Sequence, residues 1–310
     1  MIAAANMAPS TTFSSNRTGV RPPVRDGYVN VPGMRLHYLD YGGAAEVIIA
    51  LHGLIQNARA FEGIAPALVP HVRLIALDVR GRGGSDWGPP GSYRWCYYLN
   101  DLRAFVRALG LTKFSLIGTS MGGALALLYT IAHPQRVTRL VLNDTGLNND
   151  KVGAARVAER IALAPSDFAD LDEAIGWSLR TRKGFNRLPP HAQAAWVSHY
   201  LVPTPSGRLR FDCDPLLIRR ARMFPPQFGP HVQPWSHRKV VWDQVRSLAT
   251  PILLVRGEVS EVVPRESAEL MAEILQDASW AEVPGCGHAP TLYEPEAQAA
   301  LRKFFGVNGT

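Results

Sequence analysis

The chain has 310 residues, of which 46% are hydrophobic and 19% charged, and a formal net charge of +7. That length supports one large core or a core carrying an inserted piece. Its apolar runs, such as residues 46–51, fall far short of the roughly 20 residues of a membrane-spanning helix. The three cysteines, Cys96, Cys213 and Cys286, are widely separated and form no C-x-x-C pair. A disulfide framework or cysteine metal cluster is therefore not expected, and the usage fits a reducing compartment.

Residues 1–25 are rich in Ala, Ser, Thr, Asn and Pro and lack the basic-then-apolar order of a secretory leader. They read as a flexible lead-in, and a cytoplasmic location is expected. Strand patterns follow over 34–41 and 47–51, joined in sequence by Gly42-Gly43, and a third over 72–77. A fourth, over 113–117, runs into a helical pattern over 121–133. A fifth covers 137–142. A sixth, over 251–255, precedes a helix over 265–275. A seventh covers 280–283 and leads to a last helix over 294–305. Strands alternating with helices predict an α/β fold with a largely parallel sheet. Uninterrupted apolar strands such as Ile252-Leu253-Leu254-Val255 suit strands covered on both faces.

Between 148 and 247 the alternation breaks. Helical patterns cover 152–163 and 171–180. Proline turns stand at Pro189-Pro190, Pro203-Thr204-Pro205 and Pro225-Pro226, and Trp177, Trp196, Trp235 and Trp242 are scattered through the stretch. It reads as a mostly helical insertion between two strands. From 148 to 246 there are 15 Lys and Arg against 9 Asp and Glu, so this stretch holds +6 of the +7. Solvated helix faces are the plain explanation; attraction of anionic substrates is the functional one. No basic run is interleaved with aromatics as a nucleic-acid module requires.

The chemistry concentrates in Gly118-Thr119-Ser120-Met121-Gly122. An apolar strand ends, a G-x-S-x-G turn follows, and an apolar helix starts at once. A strand turning this sharply brings the neighbours of its central residue into contact. Gly118 and Gly122 remove side chains that would clash, and Ser120 is left in a strained turn as a nucleophile. The new helix aims free N–H groups at the same place, which suits a developing oxyanion. A serine hydroxyl needs a base. His288, in Gly285-Cys286-Gly287-His288, follows the last strand and precedes the last helix, on a loop from which a histidine can reach a neighbouring nucleophile.

These features resemble the α/β-hydrolase superfamily in its capped, esterase-like branch. The matching blocks are Leu51-His52-Gly53, residues 77–86 (with Asp78, Arg80 and Ser85), Gly118 to Gly123, Leu142-Asn143-Asp144, Arg256-Gly257-Glu258 and Gly285 to His288. The resemblance implies an eight-stranded-type sheet, with residues 26–147 and 248–310 as the core and 148–247 as a helical cap over the pocket. It implies an oxyanion hole from the backbone N–H groups of Leu54 and Met121. His52, Asp78, Arg80 and Ser85 would support loops and turns. The third triad member departs from pattern. The block after the sixth strand often reads G-x-x-S-D, and here Glu261 stands at the aspartate position. Glu261 is the expected acid, with Asp144 at the end of the preceding strand as the alternative and Glu258 after it.

The implied reaction is two-step acyl transfer through Ser120, on a small-molecule carboxylic ester or lactone, with no cofactor, metal, nucleic acid or membrane partner. Carbon–carbon bond hydrolysis of ring-cleavage dienoates is the alternative, because the same side chains serve it. A ligand-binding protein without turnover is the alternative of another class. The cap aromatics, including Phe185, Phe211, Phe224 and Phe228, either line the pocket or pack the cap itself.

Overall fold

A computed structural model describes residues 24–43, 46–69, 71–223 and 239–307, with side chains described up to 219 and from 243 onward. The strands and helices in chain order begin with β1 (Arg25–Val31), β2 (Met34–Asp40), β3 (Val47–Leu51), α1 (Ala65–Leu68), β4 (Arg73–Leu77) and α2 (Trp95–Ala108). Next come β5 (Phe114–Thr119), α3 (Met121–Ala132) and β6 (Val137–Asn143). Then come α4 (Lys151–Ala162), α5 (Leu171–Thr181), α6 (Pro190–Ser198), β7 (Leu201–Pro203), β8 (Leu209–Phe211), α7 (Pro215–Met223) and α8 (Lys239–Arg246). The chain returns through β9 (Ile252–Gly257), α9 (Arg265–Ile274), β10 (Ala278–Val283) and α10 (Pro295–Phe305).

Eight strands form one sheet in the order β1-β2-β4-β3-β5-β6-β9-β10. The β1–β2 and β2–β4 pairs are antiparallel and the other five are parallel. Helices on both faces explain why the central strands are apolar without alternation. Every residue of β5 and of β9 is buried. Ile48, Ile49, Leu116, Ile117, Leu140, Val141 and Leu142 have no exposed surface. Each such side chain contributes about 1.5–3 kcal/mol by leaving water. Helix α3, Met-Gly-Gly-Ala-Leu-Ala-Leu-Leu-Tyr-Thr-Ile-Ala, is apolar almost all round because it is buried almost all round.

Two elements, β1 and α2, are not among those the sequence patterns predict. Strand β1 is an edge strand, Arg-Asp-Gly-Tyr-Val-Asn-Val, mostly exposed, so it shows little apolar alternation. Helix α2 does carry a 3.6-residue signal, in buried Tyr98, Leu102 and Phe105, which the aromatic, β-like start Trp-Cys-Tyr-Tyr obscures. The insertion between β6 and β9 is mostly helical, as expected, but also holds the antiparallel β7–β8 hairpin. Phe224, Phe228 and Trp235 lie outside the described residues, as does the side chain of Trp242 and all of residues 1–23.

The register sets the site. Gly118 pairs with Leu51 on one side and Leu142 on the other, and Asn143 pairs with Thr119 and Val255. The C-terminal ends of β3, β5, β6 and β9 therefore lie level. Chain order runs from β3 to β4 on one side and continues with β5 on the other. Such a reversal opens a crevice at the carboxyl ends of the strands.

Candidate active site

Ser120 is the single residue between β5 and α3, with φ +51° and ψ −112°. Few non-glycine residues adopt a positive φ, so the turn is strained. Its neighbours explain how the strain is held. A side chain on Gly118 would place its first carbon 2.3 Å from the Gly122 carbonyl oxygen, and one on Gly122 would lie 2.0 Å from that of Leu51. Both glycines are sterically obligatory at this close approach. The Ser120 N–H donates to the Asn143 carbonyl at 2.9 Å, and the Thr145 hydroxyl donates to the Ser120 carbonyl at 2.7 Å.

His288 arrives from the loop after β10. Its Nε2 lies 2.8 Å from Ser120 Oγ, and its Nδ1 lies 2.7 Å from Asp144 Oδ2. A carboxylate only accepts, so Nδ1 carries the proton, and Nε2 is left to accept from the serine hydroxyl. Asp144 is the residue after β6 and is fully buried, with φ +52°. Its Oδ1 accepts the Gly257 N–H at 3.1 Å, and its Oδ2 also accepts the Ser260 hydroxyl at 2.7 Å. Ser260 is held in turn by the N–H groups of Val262 and Val263, at 3.2 and 3.1 Å.

Glu261, the acid expected from its place in the loop, is not at the imidazole. Its Oε1 pairs with Arg160 of α4 at 3.0 Å, and its Oε2 accepts the backbone N–H of His288 at 3.3 Å. Burial alone would raise its pKa. Hydrogen bonds from the loop backbone and from Arg160, with the Arg160 charge, outweigh burial and hold the carboxyl below its usual range. The correction has a topological cause. Strand β6 lies beside β5, so the residue after β6 sits next to the residue after β5, whereas Glu261 is four residues past the end of β9. Glu258, the remaining candidate, accepts the Gly285 N–H at 2.7 Å and is exposed.

The loop after β3 closes the other side. His52 is fully buried; its Nδ1 donates to the Gly53 carbonyl at 2.7 Å and its Nε2 accepts the Val79 N–H at 3.0 Å. Burial lowers its pKa to about 4, so the ring is neutral and serves the loop. Asp78 accepts the Ala58 and Gly84 N–H groups and contacts His37, while Arg80 pairs with buried Asp101. The Ser85 hydroxyl donates to the Asp78 carbonyl at 2.6 Å. Nothing in the sequence singles out Arg82. It is fully buried, and its guanidinium donates to the Leu54 carbonyl at 2.9 Å, the Arg80 carbonyl at 2.7 Å and Tyr98 Oη at 3.1 Å, and reaches Met121 Sδ at 3.5 Å. It thus ties Leu54 to Met121. Both residues keep a backbone N–H outside any hydrogen bond among the described residues.

Ser120, His288, Leu54 and Gln56 line a cavity of about 80 Å3 together with residues of the insertion. Phe168, Trp177 and Phe211 form one wall, with ring centroids 5.5–6.0 Å apart. These aromatics both pack on one another and face the cavity. Phe185 instead packs behind Trp196, at 5.2 Å. Two cations, Arg160 and Arg182, also line the cavity. Among the described residues no cluster of three His, Cys, Asp or Glu side chains is arranged to hold a metal ion, and no helix is long and apolar enough to cross a membrane.

The chain is similar over most of its length to proteins of known kind. An N-formylmaleamate deformylase of Pseudomonas putida is 37% identical over 86% of this chain and 90% of its own length. A 3-hydroxybutyrate-oligomer hydrolase of Cupriavidus necator is 28% identical over 87% and 92%. A solved α/β hydrolase of Novosphingobium aromaticivorans superposes with a TM-score of 0.81 at 30% identity, covering 92% of this chain and 99% of that one. The family model for the alpha/beta hydrolase fold matches residues 46–295. With its mostly parallel sheet, its strained serine turn and these relatives, the chain belongs to the α/β-hydrolase family and is a hydrolase.

Proposed function

We propose that the protein is a serine hydrolase of small-molecule carboxylic esters, working through an acyl-enzyme on Ser120 with His288 as base and Asp144 as the acid. The unbroken relay from Ser120 Oγ through His288 to Asp144, opening on a partly apolar cavity, carries this reading. His288 Nε2 takes the hydroxyl proton as Ser120 Oγ attacks the substrate carbonyl. Asp144 holds the tautomer and stabilises the imidazolium that forms. The N–H groups of Leu54 and Met121 receive the oxyanion, aided by the positive end of α3. His288 then protonates the departing alkoxide. Water, deprotonated by the same nitrogen, attacks the acyl carbon and releases the acid. The insertion over 148–247 acts as a cap that shapes the acyl pocket.

The 3-hydroxybutyrate-oligomer hydrolase supports the ester reading. The N-formylmaleamate deformylase favours a second reading, hydrolysis of an acyl carbon–nitrogen bond by the same relay. A panel of methyl and p-nitrophenyl esters, lactones and formamides separates them, with labelling by a fluorophosphonate locating the nucleophile. Ester turnover that disappears in Ser120→Ala, with the label on Ser120, is the expected result. Turnover that survives Ser120→Ala would refute the mechanism. Formamide turnover without ester turnover would move the function to the second reading, and bleaching of a ring-cleavage dienoate would move it to carbon–carbon hydrolysis.

A further inference from the structure

Arg182 is the group in the cavity whose chemistry the hydrolytic relay leaves unused. It follows α5, lines the same cavity as Ser120, and forms an ion pair with no carboxylate. Every Asp and Glu of the chain is among the described residues, and none pairs with Arg182. Arg160, the other cation of the cavity, is paired with Glu261. A guanidinium offers five N–H donors. The Arg182 guanidinium makes one hydrogen bond among the described residues, to the Ala289 carbonyl at 3.0 Å, while its central carbon lies over the Trp196 ring, 4.6 Å from the centroid. The stack and the carbonyl fix the guanidinium in place without neutralising it.

Such a placement is costly. Removal from water and the neighbouring Arg160 charge pull the Arg182 pKa down to about 10, against weaker help from Tyr200, Glu294 and Glu261. A chain needing only packing there would carry an uncharged side chain, because a partly buried charge without a carboxylate partner is costly to hold. Behind Arg182 is a void of about 10 Å3 bordered by Glu294, whose Oε2 has no hydrogen-bond partner among the described residues. That carboxylate is the rival occupant of the guanidinium.

We propose that the cavity takes an acyl substrate bearing a second, free carboxylate, and that Arg182 receives that carboxylate while the ester carbonyl sits at Ser120. The proposal rests on the serine-hydrolase reading and names its substrate class. A planar guanidinium matches a carboxylate through two parallel N–H···O bonds, and the low-dielectric wall strengthens them. The aromatic wall of Phe168, Trp177 and Phe211 would hold the short apolar span between the two ends.

The test compares monomethyl succinate, glutarate and adipate with methyl butyrate, valerate and hexanoate, in wild type and Arg182→Gln, by pH-stat. The readout is the ratio of kcat/KM between half-ester and neutral ester. Wild type is expected to favour a half-ester at least tenfold, and Arg182→Gln to lower that ratio about 100-fold, as truncation of a desolvated charge partner does. An unchanged ratio would overturn the proposal while leaving the hydrolase reading intact, and is the result expected if Arg182 serves only Glu294. If no ester is turned over, the hydrolase reading fails. Calorimetric binding of glutarate but not valerate, lost in Arg182→Gln, then still decides for the carboxylate site, and no glutarate binding decides against it. Should Arg182→Gln fail to fold, competitive inhibition of wild type by glutarate and not by valerate supports the site, and equal inhibition by the two overturns it.

Discussion

The sharpest test of the site compares Asp144→Asn with Glu261→Gln. Asp144 lies 2.7 Å from His288 Nδ1 and is fully buried, so its charge meets the imidazolium unscreened. For charges about 4 Å apart at an effective dielectric near 20, the attraction is about 4 kcal/mol. Asparagine keeps the shape and can still accept the Gly257 N–H. Its amide then presents a donor toward Nδ1, which turns the ring to the tautomer with the proton on Nε2, where no serine proton can be taken. Loss of charge and tautomer together predicts a fall in kcat of about 10³–10⁴ for Asp144→Asn. Glu261 meets Arg160 and the backbone of His288, not its ring. Glu261→Gln should lower kcat less than about tenfold, since it removes only a partly buried ion pair beside the site. Steady-state kinetics on the best methyl ester, with near-ultraviolet circular dichroism to verify folding, read both. If folded Asp144→Asn keeps a tenth of the activity while Glu261→Gln loses 100-fold, the acid is Glu261 and the relay through Asp144 is refuted.

Ser260→Ala removes one donor to Asp144 and strands the N–H groups of Val262 and Val263; kcat should fall about tenfold and the denaturant midpoint should drop, by about 1–3 kcal/mol in stability. Arg82→Met unties Leu54 from Met121, so kcat should fall 10- to 100-fold with a smaller change in KM, and Arg82→Lys should not restore it because a lysine cannot span these partners; equal activity in Arg82→Met would refute that role. His52 is neutral when folded, its pKa lowered from the ordinary 6.5 to about 4. The unfolded chain therefore binds the extra proton first, so the His52 contribution is whole above pH 6.5 and declines as pH falls toward 4, by up to about 3 kcal/mol. Urea unfolding of wild type and His52→Asn across that window should diverge near neutrality and converge in acid.

How far the sequence could be read follows from which facts are local. The strand-turn-helix around Ser120 is local, and the clashes that Gly118 and Gly122 avoid are with Gly122 and Leu51, one of them within the motif itself. The central strands announced themselves because burial on both faces leaves them apolar without a break. The edge strand β1 did not, because one solvated edge demands little of its residues. The place of Glu261 is the instructive case. Counting along the loop after β9 leads to Glu261, but the carboxylate that reaches His288 is decided by which strand lies beside β5, and strand order is not written in periodicity. The structure shows what the sequence does not spell out: Asp144, the residue after β6, has a positive φ, which aspartate tolerates better than most residues.

Charge shows the same divide between local and tertiary facts. The sequence assigns +6 to residues 148–246 and cannot say which cations matter. Folding disposes of most of them in ordinary ways. Arg208 meets Asp167, Arg187 meets Glu296 and Arg160 meets Glu261, while Lys151, Arg156, Arg180, Lys183 and Arg219 are exposed. Exposed and paired cations alike are largely screened, so the net count overstates any field they create at the site. What remains at the cavity is one guanidinium, fixed by a carbonyl and an indole ring and left without a carboxylate. A pooled charge of +6 and a single, partly buried Arg182 predict different behaviour. The pooled charge would draw any anion and fade with salt; the single group would select a carboxylate at one distance from Ser120 and keep its selectivity at high ionic strength.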